Sequence, residues 1–142
     1  MSEHRPDDGT EPEPTIDLGA SEPPDFPRMT TVYIAGPLSG SECQYMANVG
    51  HMLRVWRELM EMGFACVCPC ADLLAGFMRP TPLDVMAYKR QSMELMRRCD
   101  VVYISLPTFN QRISWGVQAE IDEAKRLGIP VTYSIGELAG LM

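Results

Sequence analysis

The residue whose type and place most demand a chemical explanation is Glu120. In "SWGVQAEIDEAKRLGIPV", residues 114 to 131, the spacing predicts a loop, one amphipathic helix and the start of a strand. At about 100° per residue, Val117, Ile121, Ala124 and Leu127 make an apolar stripe, while Gln118, Asp122, Lys125 and Arg126 point away from it. Glu120 falls inside the stripe. A carboxylate facing a core must be neutralised, paired or used, because an unpaired buried charge is costly. Two readings follow: a structural carboxylate hydrogen-bonded to a tyrosine or to backbone amides, or a reactive one held ready for substrate.

Two other stretches carry groups suited to a ligand. In "YIAGPLSG", residues 33 to 40, Gly36, Pro37, Ser39 and Gly40 form a turn that can present backbone N–H groups and a hydroxyl to an anion. Plain strand-to-helix turn punctuation is the competing explanation. Ser114 and Gly116 stand at the mouth of the Glu120 helix. Ser114 suits an N-cap, and the same hydroxyl can donate to a phosphate seated on the helix N-terminus. Trp115 and Phe109 offer faces for stacking on a base or for packing on a partner.

These groups need elements to hold them. "TTVYIAG" (30–36), "FACVCP" (64–69), "VVYISL" (101–106) and "IPVTYS" (129–134) read as strands. Between them, residues 42–62 show Met46, Val49, Met52, Leu53, Trp56, Leu59 and Met60 at helical spacing, with Gly63 as the stop. Residues 83–99 give a second helix through Val85, Met86, Met93 and Met96; the third ends at Leu127 before Gly128, and "GELAGLM" adds a last helical turn. Strands alternating with helices require parallel crossovers, which predicts a three-layer flavodoxin/Rossmann-like α/β fold with helices on both faces. Ligands in such sheets bind beyond the carboxyl ends of the strands, so chemistry is expected in the loops after Ile34, Pro69 and Leu106.

Composition narrows the classes. The 142 residues are 46% hydrophobic and 22% charged, which suits one compact domain. The net charge of -7 is concentrated in residues 1–28, where eight acids meet two arginines and six of the twelve prolines fall. That segment reads as a disordered acidic tail, with the folded domain over 29–142. The charge argues against a nucleic-acid polymer as partner. With neither a signal-like start nor a membrane-length apolar run, a soluble cytoplasmic protein is expected. Cys66, Cys68 and Cys70 are spaced as buried strand residues and not as a zinc site, so no metal is expected.

Taken jointly, Y-x-x-G-P at Tyr33, Gly36 and Pro37, "CDVV" at 99–102, S-x-G-x-x-x-E at Ser114, Gly116 and Glu120, and A-x-x-x-G-x-P-V from Ala124 resemble the nucleoside 2-deoxyribosyltransferase superfamily. The resemblance spans about residues 31 to 134 and includes the small nucleoside 5′-monophosphate N-glycosidases. It implies that Glu120 attacks the anomeric carbon, that Tyr33 hydrogen-bonds Glu120, and that Ser114 and Gly116 help hold a 5′-phosphate, with no cofactor. It also implies a homodimer or higher oligomer. Arg112 is a candidate phosphate cation, since no lysine is evident there. One position departs: relatives carry an aspartate eight residues before Asp100, proposed to assist the leaving base, and this chain has Ser92. A hydroxyl is no general acid near neutral pH. Asp84 is the better substitute over Glu94, although a helix-start charge explains it equally well. Asp100 itself suits a turn-fixing role. Loss of the aspartate keeps open a catalytically weak or inactive nucleotide-sensing module, and the acidic tail keeps open an adaptor.

Overall fold

A computed structural model describes residues 9, 11–12, 19, 25–37, 42–72, 84–106 and 113–142. Most of the acidic tail, Ser39, Gly40, Phe109 and Arg112 lie outside the described residues. Four strands, β1 (Thr31–Ala35), β2 (Ala65–Val67), β3 (Val101–Ile104) and β4 (Val131–Thr132), form one all-parallel sheet in the order β2-β1-β3-β4. In register, Tyr33 lies between Val67 and Val102, and Ala35 lies beside Ile104. Val32, Tyr33 and Ile34 have no exposed surface, as expected of a strand covered on both faces.

The helices are α1 (Glu42–Glu61), α2 (Val85–Met96), α3 (Trp115–Leu127) and the short α4 (Ile135–Ala139). On one face, Val49, Met52, Val55 and Leu59 of α1 and Leu138 of α4 pack on Val32, Ile34 and Val101. On the other, Met96 of α2 and Val117, Ile121 and Ala124 of α3 pack on Tyr33, Ala35 and Val102. The result is the three-layer α/β architecture. The chain leaves β1 toward β2 on one side and later toward β3 on the other, so strand order reverses between β1 and β3, where such folds open a crevice.

Local chemistry sets the ends. Asp84 caps α2 by accepting from Met86 N at 3.2 Å, and Ser114 caps α3 by accepting from Val117 N at 3.3 Å. Gly128 stops α3 at φ 73°, a left-handed conformation that costs a glycine little. At the amino ends of the two central strands, away from the crevice, Asp100 Oδ2 accepts from Thr31 N at 2.8 Å and from Thr31 Oγ1 at 3.0 Å. Those bonds hold its carboxyl below the usual range and tie β1 to the start of β3. Asp100→Ala is expected to lower stability by about 1 to 2 kcal/mol in urea unfolding, discounted for its exposure, and to leave any activity of the site unchanged.

Several apolar residues that mark the helices by their spacing lie outside the core. Leu127 is exposed, because it is the last residue before the Gly128 turn and Ile129 takes over the contact with the sheet. Met46, Leu53 and Met60 of α1 and Val85 and Met86 of α2 are exposed as well. The cysteine run is only partly a strand. β2 ends at Val67, and Cys70 lies in a 3-10 turn, Pro69–Asp72, although Cys68 and Cys70 are both buried. All five cysteines are free thiols. Their Sγ atoms at 68 and 70 are 3.1 Å apart.

Candidate active site

α3 turns Glu120 toward the sheet one turn inside its N-terminus, between the buried Val117 and Ala124. β1 supplies the group it meets. The Tyr33 phenol donates to Glu120 Oε1 at 2.7 Å, a short charge-assisted bond between residues 87 positions apart. Tyr33 is fully enclosed and Glu120 half-buried. Burial pushes the Glu120 carboxyl up to about 7, against the opposing pull of the phenol's hydrogen bond. Burial, and then the negative charge of Glu120, hold the phenol itself far above its usual range. Tyr33 is therefore a permanent donor near neutral pH, and Glu120 is a carboxylate poised between its two protonation states.

Ser92 comes to the same place. It lies one turn before the buried Met96 on the sheet-facing side of α2, where its hydroxyl reaches the Tyr33 phenol and pulls the phenol's pKa down against the effect of burial. The phenol's own proton is committed to Glu120 Oε1, which fixes the carboxylate's orientation. Tyr33→Phe removes that donor. The midpoint of Glu120 ionisation is expected to move upward from about 7 by about one pH unit, for a lost bond of roughly 1.5 kcal/mol, read by carboxyl-carbon NMR titration.

Not every residue singled out by sequence converges here. Asp84 is exposed and its carboxylate is engaged in capping α2. Eight residues separate it from Ser92, roughly 12 Å along the helix at 1.5 Å per residue, so it does not join the Tyr33–Glu120 pair. Gly36 ends β1 with a steric purpose. A Cβ there would lie 2.8 Å from the Ser105 carbonyl oxygen and 3.3 Å from Met52 Sδ, so only glycine lets the tips of β1 and β3 approach at the crevice. Pro37 follows it, buried. Ser105, at the tip of β3, is 2% exposed and its hydroxyl has no hydrogen-bond partner. At Gly116 an added Cβ would meet only Ser114 Oγ, at 4.0 Å, so that glycine leaves the first turn of α3 open without being sterically required.

The rim of the site holds a lysine that sequence reading missed. Lys89 Nζ lies 3.4 Å from the centroid of the exposed Trp115 ring, a cation–π contact between α2 and the first residue of α3. Lys89 stands three residues before Ser92, on the same side of α2, so a helical wheel drawn from Ser92 would have found it. Farther down, Arg97 binds Glu123 at 3.0 Å, and Arg126 binds the same carboxylate at 2.7 Å. Arg126 first and Arg97 second hold that carboxyl down at about 2, and the network ties α2 to α3 below the site. Among the described residues, no three His, Cys, Asp or Glu side chains are grouped to hold a metal ion.

The fold and the pair define a three-layer α/β protein with an ionisable carboxylate held against a phenol at the sheet. The family model described as Domain of unknown function (DUF7768) matches residues 30–134, and the chain belongs to that family. The matched range contains every described residue of the site. No curated protein matches the chain. Among the described residues, no helix is long and apolar enough to cross a membrane.

Proposed function

We propose that the protein cleaves or transfers the N-glycosidic bond of a (deoxy)nucleoside 5′-monophosphate, with Glu120 as nucleophile. The observation that carries this reading is the 2.7 Å bond from the Tyr33 phenol to Glu120 Oε1 at the inward face of α3. A carboxylate that attacks an oxocarbenium-like carbon must be ionised, oriented and shielded from bulk water. The phenol orients Glu120, and burial between α3 and the sheet shields it.

In the first step a Glu120 oxygen bonds to C1′ as the C1′–N bond breaks, and the base leaves with the bonding pair. In the second, water attacks C1′, its proton is lost to solvent, and the Glu120 carboxylate is released. The sum is nucleotide plus water giving free base and sugar phosphate. When another base is the acceptor, the same ester returns the sugar to nitrogen. Ser92 supplies no proton to the leaving base, and Asp84 is engaged elsewhere, so the base takes its proton from water. That favours substrates whose base is already a good leaving group.

The phosphate end falls to the start of α3. Ser114 Oγ accepts from Val117 N, which leaves its own proton to donate, and Lys89 stands at the adjacent rim. Lys89→Gln is expected to raise KM for a monophosphate about tenfold, the loss of one hydrogen bond to a charged group, while kcat and the KM for the plain nucleoside stay unchanged. The free thiols fit a reducing, cytoplasmic setting.

The test is incubation with a panel of nucleoside and deoxynucleoside monophosphates, following free base, beside a Glu120→Ala control. Release that depends on Glu120 supports the reading. A second reading, a nucleotide-sensing module, is favoured by one observation: a hydroxyl, Ser92, stands beside the phenol in place of an acid. It would show ligand-dependent thermal stabilisation without release of base from any member of the panel.

A further inference from the structure

Ser105 is the one place where the described residues leave a buried polar side-chain atom without a hydrogen-bond partner. It is 2% exposed and stands at the tip of β3, where strand order reverses. Thr132 in β4 shows how a strand hydroxyl is ordinarily satisfied: it donates to Val102 O at 3.1 Å. Ser105 Oγ has no such acceptor among the described residues, which destabilises the free chain and calls for a partner from outside the fold. Its direction follows from the strand. Ser105 N donates to Ala35 O at 2.7 Å, so the ladder and its alternation continue one residue past Ile104. Val101 and Tyr103 face α1, whereas Val102, Ile104 and Leu106 face α2 and α3. Ser105 therefore turns to the α1 side of the tip, beside Gly36, where a Cβ would lie 3.3 Å from Met52 Sδ.

We propose that Ser105 Oγ binds a hydroxyl of the substrate's sugar ring and so sets which pentose the site accepts. The proposal rests on the glycosidic reading of Glu120, which fixes how a nucleotide lies. C1′ must reach the carboxylate that Tyr33 of β1 holds, the phosphate falls to the start of α3, and the base leaves from the face of C1′ opposite Glu120. The ring between them is then the part that lies over the tips of β1 and β3. Ser105 stands three residues beyond Val102, the register partner of Tyr33, roughly 10 Å farther toward the crevice at about 3.3 Å per residue. The chemistry agrees with that placement. A serine hydroxyl, like a sugar hydroxyl, both donates and accepts, and neither brings a charge into a buried spot. A phosphate would bring one, and Lys89, the cation at the rim, belongs to the other helix layer. The side chain best able to give way to the ring is Met52, unbranched and set against Gly36. A sugar that lacks the hydroxyl leaves Ser105 unpaired, and that asymmetry is what makes a buried hydroxyl a strong discriminator.

The test uses the full chain: base release from a ribonucleoside 5′-monophosphate and from its 2′-deoxy and 3′-deoxy analogues, by the wild type and by Ser105→Ala, with thermal unfolding of both proteins. On the ribonucleotide, Ser105→Ala is expected to lower kcat/KM about tenfold or more, the loss of a hydrogen bond to a substrate hydroxyl. On one of the two analogues the variant and the wild type are expected to agree within about twofold, because the partner is already gone, and the analogue that does so names the hydroxyl. The unliganded variant is expected to unfold at no lower temperature than the wild type. A penalty of the same size on all of the nucleotides, or on none, overturns the proposal. So does a lower unfolding temperature, which would assign the hydroxyl to the fold itself. Should the wild type release base from none of them, the glycosidic reading fails by itself. Calorimetric binding of the same nucleotides to the same two proteins then decides on Ser105 by the same comparison, and absence of binding overturns both.

Discussion

Glu120→Gln is expected to stabilise the protein at pH 8 while removing base release. Glutamine keeps the shape of the side chain and can still accept from the Tyr33 phenol, but it has no charge to desolvate and is no nucleophile. The carboxyl of Glu120 titrates at about 7 in the folded chain and near 4.5 when exposed. Between those values the folded state holds a proton that the unfolded state has lost, so stability falls as pH rises through that window and stays low above it. The difference corresponds to roughly 3 kcal/mol at pH 8, an upper figure for a half-buried group. Thermal unfolding should therefore separate Glu120→Gln from wild type at pH 8 and bring them together near pH 4.5. Base release should drop by about 10³-fold or more, as for other nucleophile deletions. The contrast is a stability–activity exchange at one atom pair: the charge that the reaction needs is the one that folding disfavours.

The second large effect is in the pH profile. The attacking group is the carboxylate, so kcat/KM is expected to rise about tenfold per pH unit below about 7 and to level off above it. An ordinary surface glutamate would give a plateau down to pH 5. Tyr33→Phe should carry the midpoint to higher pH, because the lost hydrogen bond favoured the charged form. Activity measured from pH 5 to 9 on both proteins reads the two effects together, and coincident profiles would remove the phenol from the tuning of Glu120.

The sheet was readable because β1 and β3 are short β-branched and aromatic runs that can be buried on both faces, and each is bounded by turn residues. Helix positions were readable through the 3.6-residue period of their apolar residues. What periodicity does not give is the width of the stripe that a sheet can cover. α1 offers a wide apolar arc, and the sheet takes only Val49, Met52, Val55 and Leu59 of it, so the spacing that marks the helix does not tell that Met46, Leu53 and Met60 stay exposed. Cys68 and Cys70 were misread because Pro69, which lacks an N–H to donate, follows the end of β2 and starts a 3-10 turn.

At the site, the inward turn of Glu120 follows from its helix wheel alone. Its partner Tyr33 does not, since nothing local connects positions 33 and 120; only the resemblance implied that contact, and the structure contains it. Ser114 was readable as a cap because capping is a local pattern. Asp84 was readable in the same way, and its capping bond is the role the structure gives it. Lys89 shares a helix side with Ser92, which a wheel drawn from Ser92 shows, but its contact with Trp115 depends on how α2 and α3 lie side by side, which no spacing along one helix contains.

The central claim is that the Glu120 carboxylate forms a bond to the sugar of a bound nucleotide. Its most direct test is peptide mass mapping after incubation with 2′-fluoro-2′-deoxynucleoside 5′-monophosphates, whose fluorine slows release of the glycosyl ester. The expected result is a pentose-phosphate increment on Glu120 in the wild type and none in Glu120→Gln. Release of base from the unsubstituted nucleotide at the same rate in both proteins, or an increment on any other residue, would contradict it.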